Sequence, residues 1–193
     1  MSPQEIADIL KASVPDAVVG AELASKHPSV TVAPEKWHQA ALVLRDEPRL
    51  GMNMLRCISA LDLHPEPWIE LVYDLISMRP PRVGQVNSLL ASESQHSTGS
   101  EQAVDLPYVE NAGTIAVRVR VPREGGAVRS VGDVWPAAEW HEREAYDLLG
   151  VQFEQHPDLR RILCPDDWRG FPLRKDYEFP KEYHGIPSAA TEE

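Results

Sequence analysis

Seven side chains between residues 141 and 167 are of types that bind metals or move protons: His141, Glu142, Glu144, His156, Asp158, Asp166 and Asp167. Imidazole nitrogens and carboxylate oxygens are ordinary zinc ligands, and paired carboxylates can act as general acid and base. Their spacing argues against both uses. A zincin helix carries a second histidine four residues after the first; here that position is Ala145. His141 projects onto the apolar side of a helix, which suits a hydrogen-bonded core histidine. His156-Pro157-Asp158 reads as a turn with a local side-chain cap, and Asp166-Asp167 after Pro165 as the start of a turn or helix. No nucleophile elbow, phosphate-cradling glycine loop or dinucleotide fingerprint is present, and Gly125-Gly126 reads as a turn. Cys57 and Cys164 lie far apart, so no four-cysteine zinc or iron–sulfur site is expected, and a reducing compartment is. Spacing alone therefore points to no catalytic or metal site in the chain.

The element that positions most of these groups is a short helix. Pro136 suits a first turn and Gly150 a stop just past the end. At 3.6 residues per turn Ala137, Ala138, His141, Ala145, Leu148 and Leu149 share one face. Arg143 falls nearly opposite, four residues after Glu139, the favourable order for a helix ion pair. Trp140 and Tyr146 flank Arg143. Either they are amphipathic rings at the rim of the core, or Trp140–Arg143–Tyr146 forms a second face turned toward a partner.

Beyond the helix lies an arm over residues 155–193. Prolines at 157, 165, 172, 180 and 187 block helix formation along it. Large apolar residues are scattered between them, including Leu159, Trp168, Phe171, Tyr177 and Phe179. Burying them would stabilise the arm by roughly 15–30 kcal/mol, whereas ordering its backbone costs about 40–80 kcal/mol. The arm therefore needs a surface, either its own domain or another protein. Its cations Arg160, Arg161, Arg169, Arg174, Lys175 and Lys181 suit an interface.

The 193 residues carry 19 cations and 30 acids, a net charge of −11. That balance argues against nucleic acid and bare anionic lipid as partners. No signal peptide and no apolar run near the ~20 residues of a membrane span is seen, so membrane association is expected through partners. Ser2-Pro3-Gln4-Glu5 is a capping-box start. Ser29 to Val32 reads as a strand and Pro34 opens a second helix. Strands follow at Leu50 to Leu61, Trp68 to Met78 and Thr114 to Val121, the last two by strict alternation. If those two pair, Arg118 and Arg120 lie opposite Glu70 and Asp74. The resulting polar sheet face is either solvated or turned to a neighbouring subunit. Residues 80–112 read as a flexible Ser-rich insertion with a possible short helix over Val86 to Ala91. The order predicts an α+β fold: a mostly antiparallel sheet packed by helices over residues 1–154, with an extended C-terminal arm.

The stretch from Trp140 to Tyr177 resembles the signature of the 30 kDa family (the C subunit) of NADH-quinone oxidoreductase, respiratory complex I, in its stand-alone form. The resemblance rests on Trp140, Glu142-Arg143-Glu144, Tyr146-Asp147-Leu148-Leu149-Gly150-Val151, Phe153, His156-Pro157-Asp158-Leu159-Arg160-Arg161-Ile162-Leu163, Pro165-Asp166-Asp167-Trp168, Gly170 and Pro172-Leu173-Arg174-Lys175-Asp176-Tyr177. The lead-in Ser130-Val131 and Val134-Trp135-Pro136 fits as well, whereas the N-terminal third agrees only in layout. Gln155 stands where the family usually has glycine, and Phe171 where it usually has histidine.

The resemblance implies a non-catalytic peripheral-arm subunit of a quinone-reducing translocase. It would contact chiefly the D subunit, with the B and I subunits, on the cytoplasmic face of the cell inner membrane. NADH, FMN, the Fe-S clusters and quinone (ubiquinone, for example) would be bound by other subunits. Docking residues would be Trp140, Glu142, Arg143, Glu144, Tyr146, His156, Asp158, Arg160, Arg161, Trp168, Arg174, Lys175, Asp176 and Tyr177, and charge reversal at Arg143 or Arg174 would loosen assembly without altering the isolated domain. The alternatives are the equivalent subunit of an energy-converting hydrogenase-type complex, and a stand-alone metal-dependent enzyme using His141, His156 and the aspartates.

Overall fold

A computed structural model describes residues 2–78 and 113–187; the Ser-rich insertion and the helix expected over Val86 to Ala91 lie outside them. Helix α1, Pro3–Ser13, opens on the expected box: the Glu5 N–H donates to Ser2 Oγ and the Ser2 N–H to Glu5 Oε2. A 3-10 turn at Pro34–Lys36 leads into α2, Trp37–Asp46. The third helix, α3, spans Ala138–Leu149 and stops at Gly150 with φ 83°, the left-handed conformation that glycine adopts at least cost.

Strands β1 (Val18–Glu22), β2 (Ser29–Val32), β3 (Met54–Asp62), β4 (Trp68–Ile76) and β5 (Thr114–Pro122) form one sheet in the order β1-β2-β5-β4-β3. The fold is α+β and the sheet mostly antiparallel, as expected. Two features depart from the expectation. Strand β1, half-exposed and short of alternating apolar residues, gives no strand signal of its own. Strand β2 pairs with β5 in parallel, Val30 opposite Val117; the antiparallel neighbour of β5 is β4.

Alternation decides which face is buried. Ile69, Leu71, Tyr73 and Leu75 of β4 and Ile115, Val117, Val119 and Val121 of β5 all point into the core with Ile6, Leu10, Trp37 and Leu44 from the helices. Trp37 lies between Tyr73 and Trp135, with ring centroids 4.4 and 6.2 Å away. The opposite sheet face bears the charges. Arg118 Nη1 and Arg120 Nε both donate to Glu70, at 3.1 and 2.8 Å. Asp74 lies opposite Ala116 in the register and pairs with Arg56 of the edge strand, correcting the expectation that it faces one of the β5 arginines.

Two short strands, β6 (Ala127–Arg129) and β7 (Gln152–Glu154), pair in parallel on either side of α3 in sequence. This βαβ unit holds α3 near β3 and delivers the chain into the arm. Among the described residues no helix is long and apolar enough to cross a membrane.

Candidate docking surface

Helix α3 is buried on two sides, and the second side explains its polar residues. Glu142, Arg143 and Asp147 are covered along with Ala138, Ala145 and Leu149. Arg143, expected on the side away from the core, is only 7% exposed, because the arm runs back along that side. Its Nε donates to the Arg160 carbonyl at 3.3 Å, Nη1 stands 3.8 Å from Asp158, and its guanidinium lies over Trp140 at 5.1 Å. The expected Glu139–Arg143 ion pair is thus replaced by one to the arm. His141 is half-buried, and Tyr146 packs at the core's edge.

The tightest knot is Asp147, which has no exposed surface. Its Oδ2 accepts the backbone N–H groups of Ile162, Leu163 and Cys164 at 3.0, 2.7 and 2.9 Å, and Oδ1 accepts Arg161 Nη1 at 2.7 Å. Burial pushes this carboxyl up; the three N–H groups and the guanidinium outweigh it and hold the group below its usual value. Arg161 also ties in the Gly170 carbonyl.

A second knot fixes the arm further on. Arg174 donates to the carbonyls of Leu149 and Arg123 and to Glu124. Arg123 bridges Asp62 and Asp176, and Asp62 also accepts the Lys175 N–H. Between the knots Phe171 lies over Gly150 with the Arg174 guanidinium 4.7 Å from its ring. A Cβ on Gly150 would meet that ring at 2.6 Å. Gly150→Ala combines this clash with a left-handed backbone costing about 1–2 kcal/mol. The expected outcome, read by denaturant unfolding of the isolated chain, is a loss of about 2 kcal/mol or more.

His156 and Glu142 join the arm's first residues to the βαβ unit. Glu142, fully buried, accepts Ser130 Oγ–H at 2.5 Å and the Val131 N–H at 2.9 Å. Burial, reinforced by Asp133 and Glu139, pushes it to about 7 against the lowering pull of Ser130 and Val131. The Asp158 N–H donates to His156 Nδ1, so the ring proton sits on Nε2, which faces the Glu139 carbonyl at 3.1 Å. The expected turn with a local cap is what forms. Among the described residues no three His, Cys, Asp or Glu side chains converge to hold a metal ion.

The charges marked for docking are thus mostly engaged within the chain. Arg143, Arg161 and Arg174 have side chains 8, 15 and 13% exposed. Charge reversal at Arg143 or Arg174 therefore strikes the chain's own packing, contrary to the expectation that it would spare the domain. Arg160 bonds Asp158 from an exposed position, while Glu144, Lys175 and Asp176 lie at the surface. Trp168 packs against Tyr183 with the rings tilted, centroids 5.1 Å apart, and the Tyr177 hydroxyl donates to the Arg169 carbonyl. Among the residues the arm leaves outward are four large apolar ones: Leu163, Leu173, Phe179 and Ile186, like Trp140 of α3, are 56–69% exposed. The sequence marks Trp140 for docking, whereas the four arm residues count there among the scattered apolar side chains and not among the docking residues. Asp147 carries no role there, because the N–H groups that define the role come from the backbone.

Three comparisons bear on this geometry. The family model of the respiratory-chain NADH dehydrogenase 30 kDa subunit matches residues 30–183. The C subunit of NADH-quinone oxidoreductase from Chlorobium phaeobacteroides is 41% identical over 79% of this chain and 74% of its own. Among solved structures, a chain of the membrane-bound sulfane sulfur reductase, an archaeal respiratory membrane complex, superposes with a TM-score of 0.62 at 23% identity, covering 91% of this chain and 85% of that one. The trypsin-resistant fragment 1–134 of Nqo5 superposes with a TM-score of 0.52 at 24% identity, over 82% of this chain and all of the fragment. Both structural likenesses are likenesses of fold.

Proposed function

The chain belongs to the respiratory-chain NADH dehydrogenase 30 kDa subunit family, and from that membership we propose that it is a non-catalytic peripheral-arm subunit that buttresses the D subunit near the quinone site. Membership makes it a subunit of a complex I-type oxidoreductase. The finer assignment is supported by one observation above the rest: an arm locked to its own domain by buried charges turns Leu163, Leu173, Phe179 and Ile186 outward. Exposed apolar side chains held on a rigid frame are what a permanent subunit interface uses, since little ordering is left to be done on binding.

On this reading the chain moves no electrons. NADH, FMN, the iron–sulfur clusters and the quinone belong to other subunits, and this chain's contribution is mechanical. It holds the D subunit, with the B and I subunits close by, at the cytoplasmic face of the inner membrane. Its own membrane contact is indirect. The knots at Asp147 and Arg123 tie the arm to α3 and to the ends of β3 and β5.

The experiment is a tagged purification from native membranes in mild detergent, with the co-purifying chains identified. Recovery of the D and B subunits with the NADH-oxidising module is the expected result. Recovery of a hydrogenase-type large subunit would transfer the chain to the related complexes. A lone chain carrying stoichiometric metal would overturn the assignment.

A further inference from the structure

The sheet face away from the helices has a cleft of about 230 Å³ whose lining includes Lys26, Arg56, Asp74, Thr114, Ala116 and Arg118. Its lining includes the small side chains Cys57, Ser59 and Ala116 of β3 and β5. A neighbouring backbone can approach such a lining closely. The rim is cationic in a chain of net charge −11. Three cations, Lys26, Arg56 and Arg118, line it against one carboxylate, Asp74; Arg120 and Glu70 flank it on the same face, and Glu22 ends the Ser29–Ala116 row at the sheet edge.

The depth of these groups matters more than their number. The Glu70 side chain is 5% exposed and lies beneath Arg118 and Arg120, whose side chains are 34 and 49% exposed. One sunken carboxylate thus serves two guanidinium groups at the surface. Arg118 turns Nε to Ser29 Oγ at 3.1 Å and Nη1 to Glu70. Among the described residues Arg118 Nη2 has no acceptor and Lys26 Nζ no partner. The cleft therefore keeps donors in hand for a negative group.

We propose that this cleft is a second docking surface, which receives a carboxylate-bearing segment of another subunit of the complex between Lys26 and Arg118. The assignment rests on the reading of the chain as one member of a complex. Nucleic acid, or any other extended polyanion, is disfavoured because the rest of the chain would repel it. A single acidic polypeptide segment meets only the cationic patch, and the exposed face of a sheet offers it an extended track.

The test uses the intact complex, treated with a zero-length carbodiimide that joins an amine to a carboxylate in direct contact, followed by peptide mass spectrometry. The expected product joins Lys26 to an aspartate or glutamate of another subunit. In parallel, Lys26→Glu and the Lys26→Glu/Arg56→Gln pair should at least halve the salt concentration that strips the chain from the complex, while the isolated chain melts as the parent does. A Lys26 bond to a carboxylate of this same chain, or an unlinked Lys26 with unchanged salt resistance, would overturn the proposal and leave the family-based reading standing. Failure to recover any complex would instead remove that reading itself.

Discussion

Asp147→Ala is expected to release the arm while the sheet stays folded. The substitution leaves three backbone N–H groups and the Arg161 guanidinium without the carboxylate that satisfies them. Removing one partner of a buried, hydrogen-bonded charge costs about 3–5 kcal/mol, enough to open a segment held largely by polar contacts. Amide exchange should report it directly. The Ile162, Leu163 and Cys164 amides should lose protection, as should Leu173, whose N–H donates to the Leu148 carbonyl, while β4 and β5 amides keep theirs. Assembly should fail in step, because Leu163 loses its frame. Unchanged protection at those amides would rule out the anchoring role. The carboxyl is held low, so this contribution is present above the ordinary aspartate value and is lost as pH falls through the lowered one.

Glu142→Gln should act through pH. The group titrates at about 7 in the folded chain against an ordinary value of 4.5. Below that ordinary value it is protonated in both folded and unfolded chains, and its protonated form is easily buried. As pH rises toward 7 the unfolded chain releases the proton first, so stability is lost across that window. The loss is on the order of 3 kcal/mol. Glutamine keeps an oxygen for the Val131 N–H and offers its amide N–H to Ser130, and it does not titrate. The difference in denaturant midpoint between variant and parent should therefore grow in the variant's favour from about pH 5 to about pH 8. The charged and titratable groups around the site include His156 at 4.0 Å, Asp133, Glu139 and the buried Tyr73 hydroxyl, and all are common to both proteins. Parallel pH profiles would show that Glu142 does not carry the dependence.

The elements legible in the sequence were those in which one local signal decides the outcome. Alternation marked β4 and β5, the Ser2–Glu5 box marked the start of α1, and Gly150 marked the end of α3. Strand β1 was not legible, because an edge strand with exposed Val19, Ala21 and Glu22 has little alternation to display. The parallel partnering of β2 with β5 depends on which hairpins meet, and no local pattern encodes that. The face of α3 was misread at Arg143 for a similar reason. A helical projection assumes one buried side, whereas the returning arm makes two. The family signature was legible as a string of residue types; its physical content, a buried aspartate collecting backbone donors, required the fold.

Strand β5 has a consequence for the order in which the polypeptide condenses. It alone joins the β1–β2 hairpin to the β3–β4 hairpin. Until residues 114–122 have been synthesised, the first 78 residues carry two ribbons with no shared ladder, and isolated two-stranded ribbons are marginal in water. Nascent chains should thus stay uncommitted until β5 emerges, then close both halves in a single cooperative step. Translation arrest before residue 114 should leave a protease-sensitive product, and arrest well after residue 122 a resistant one.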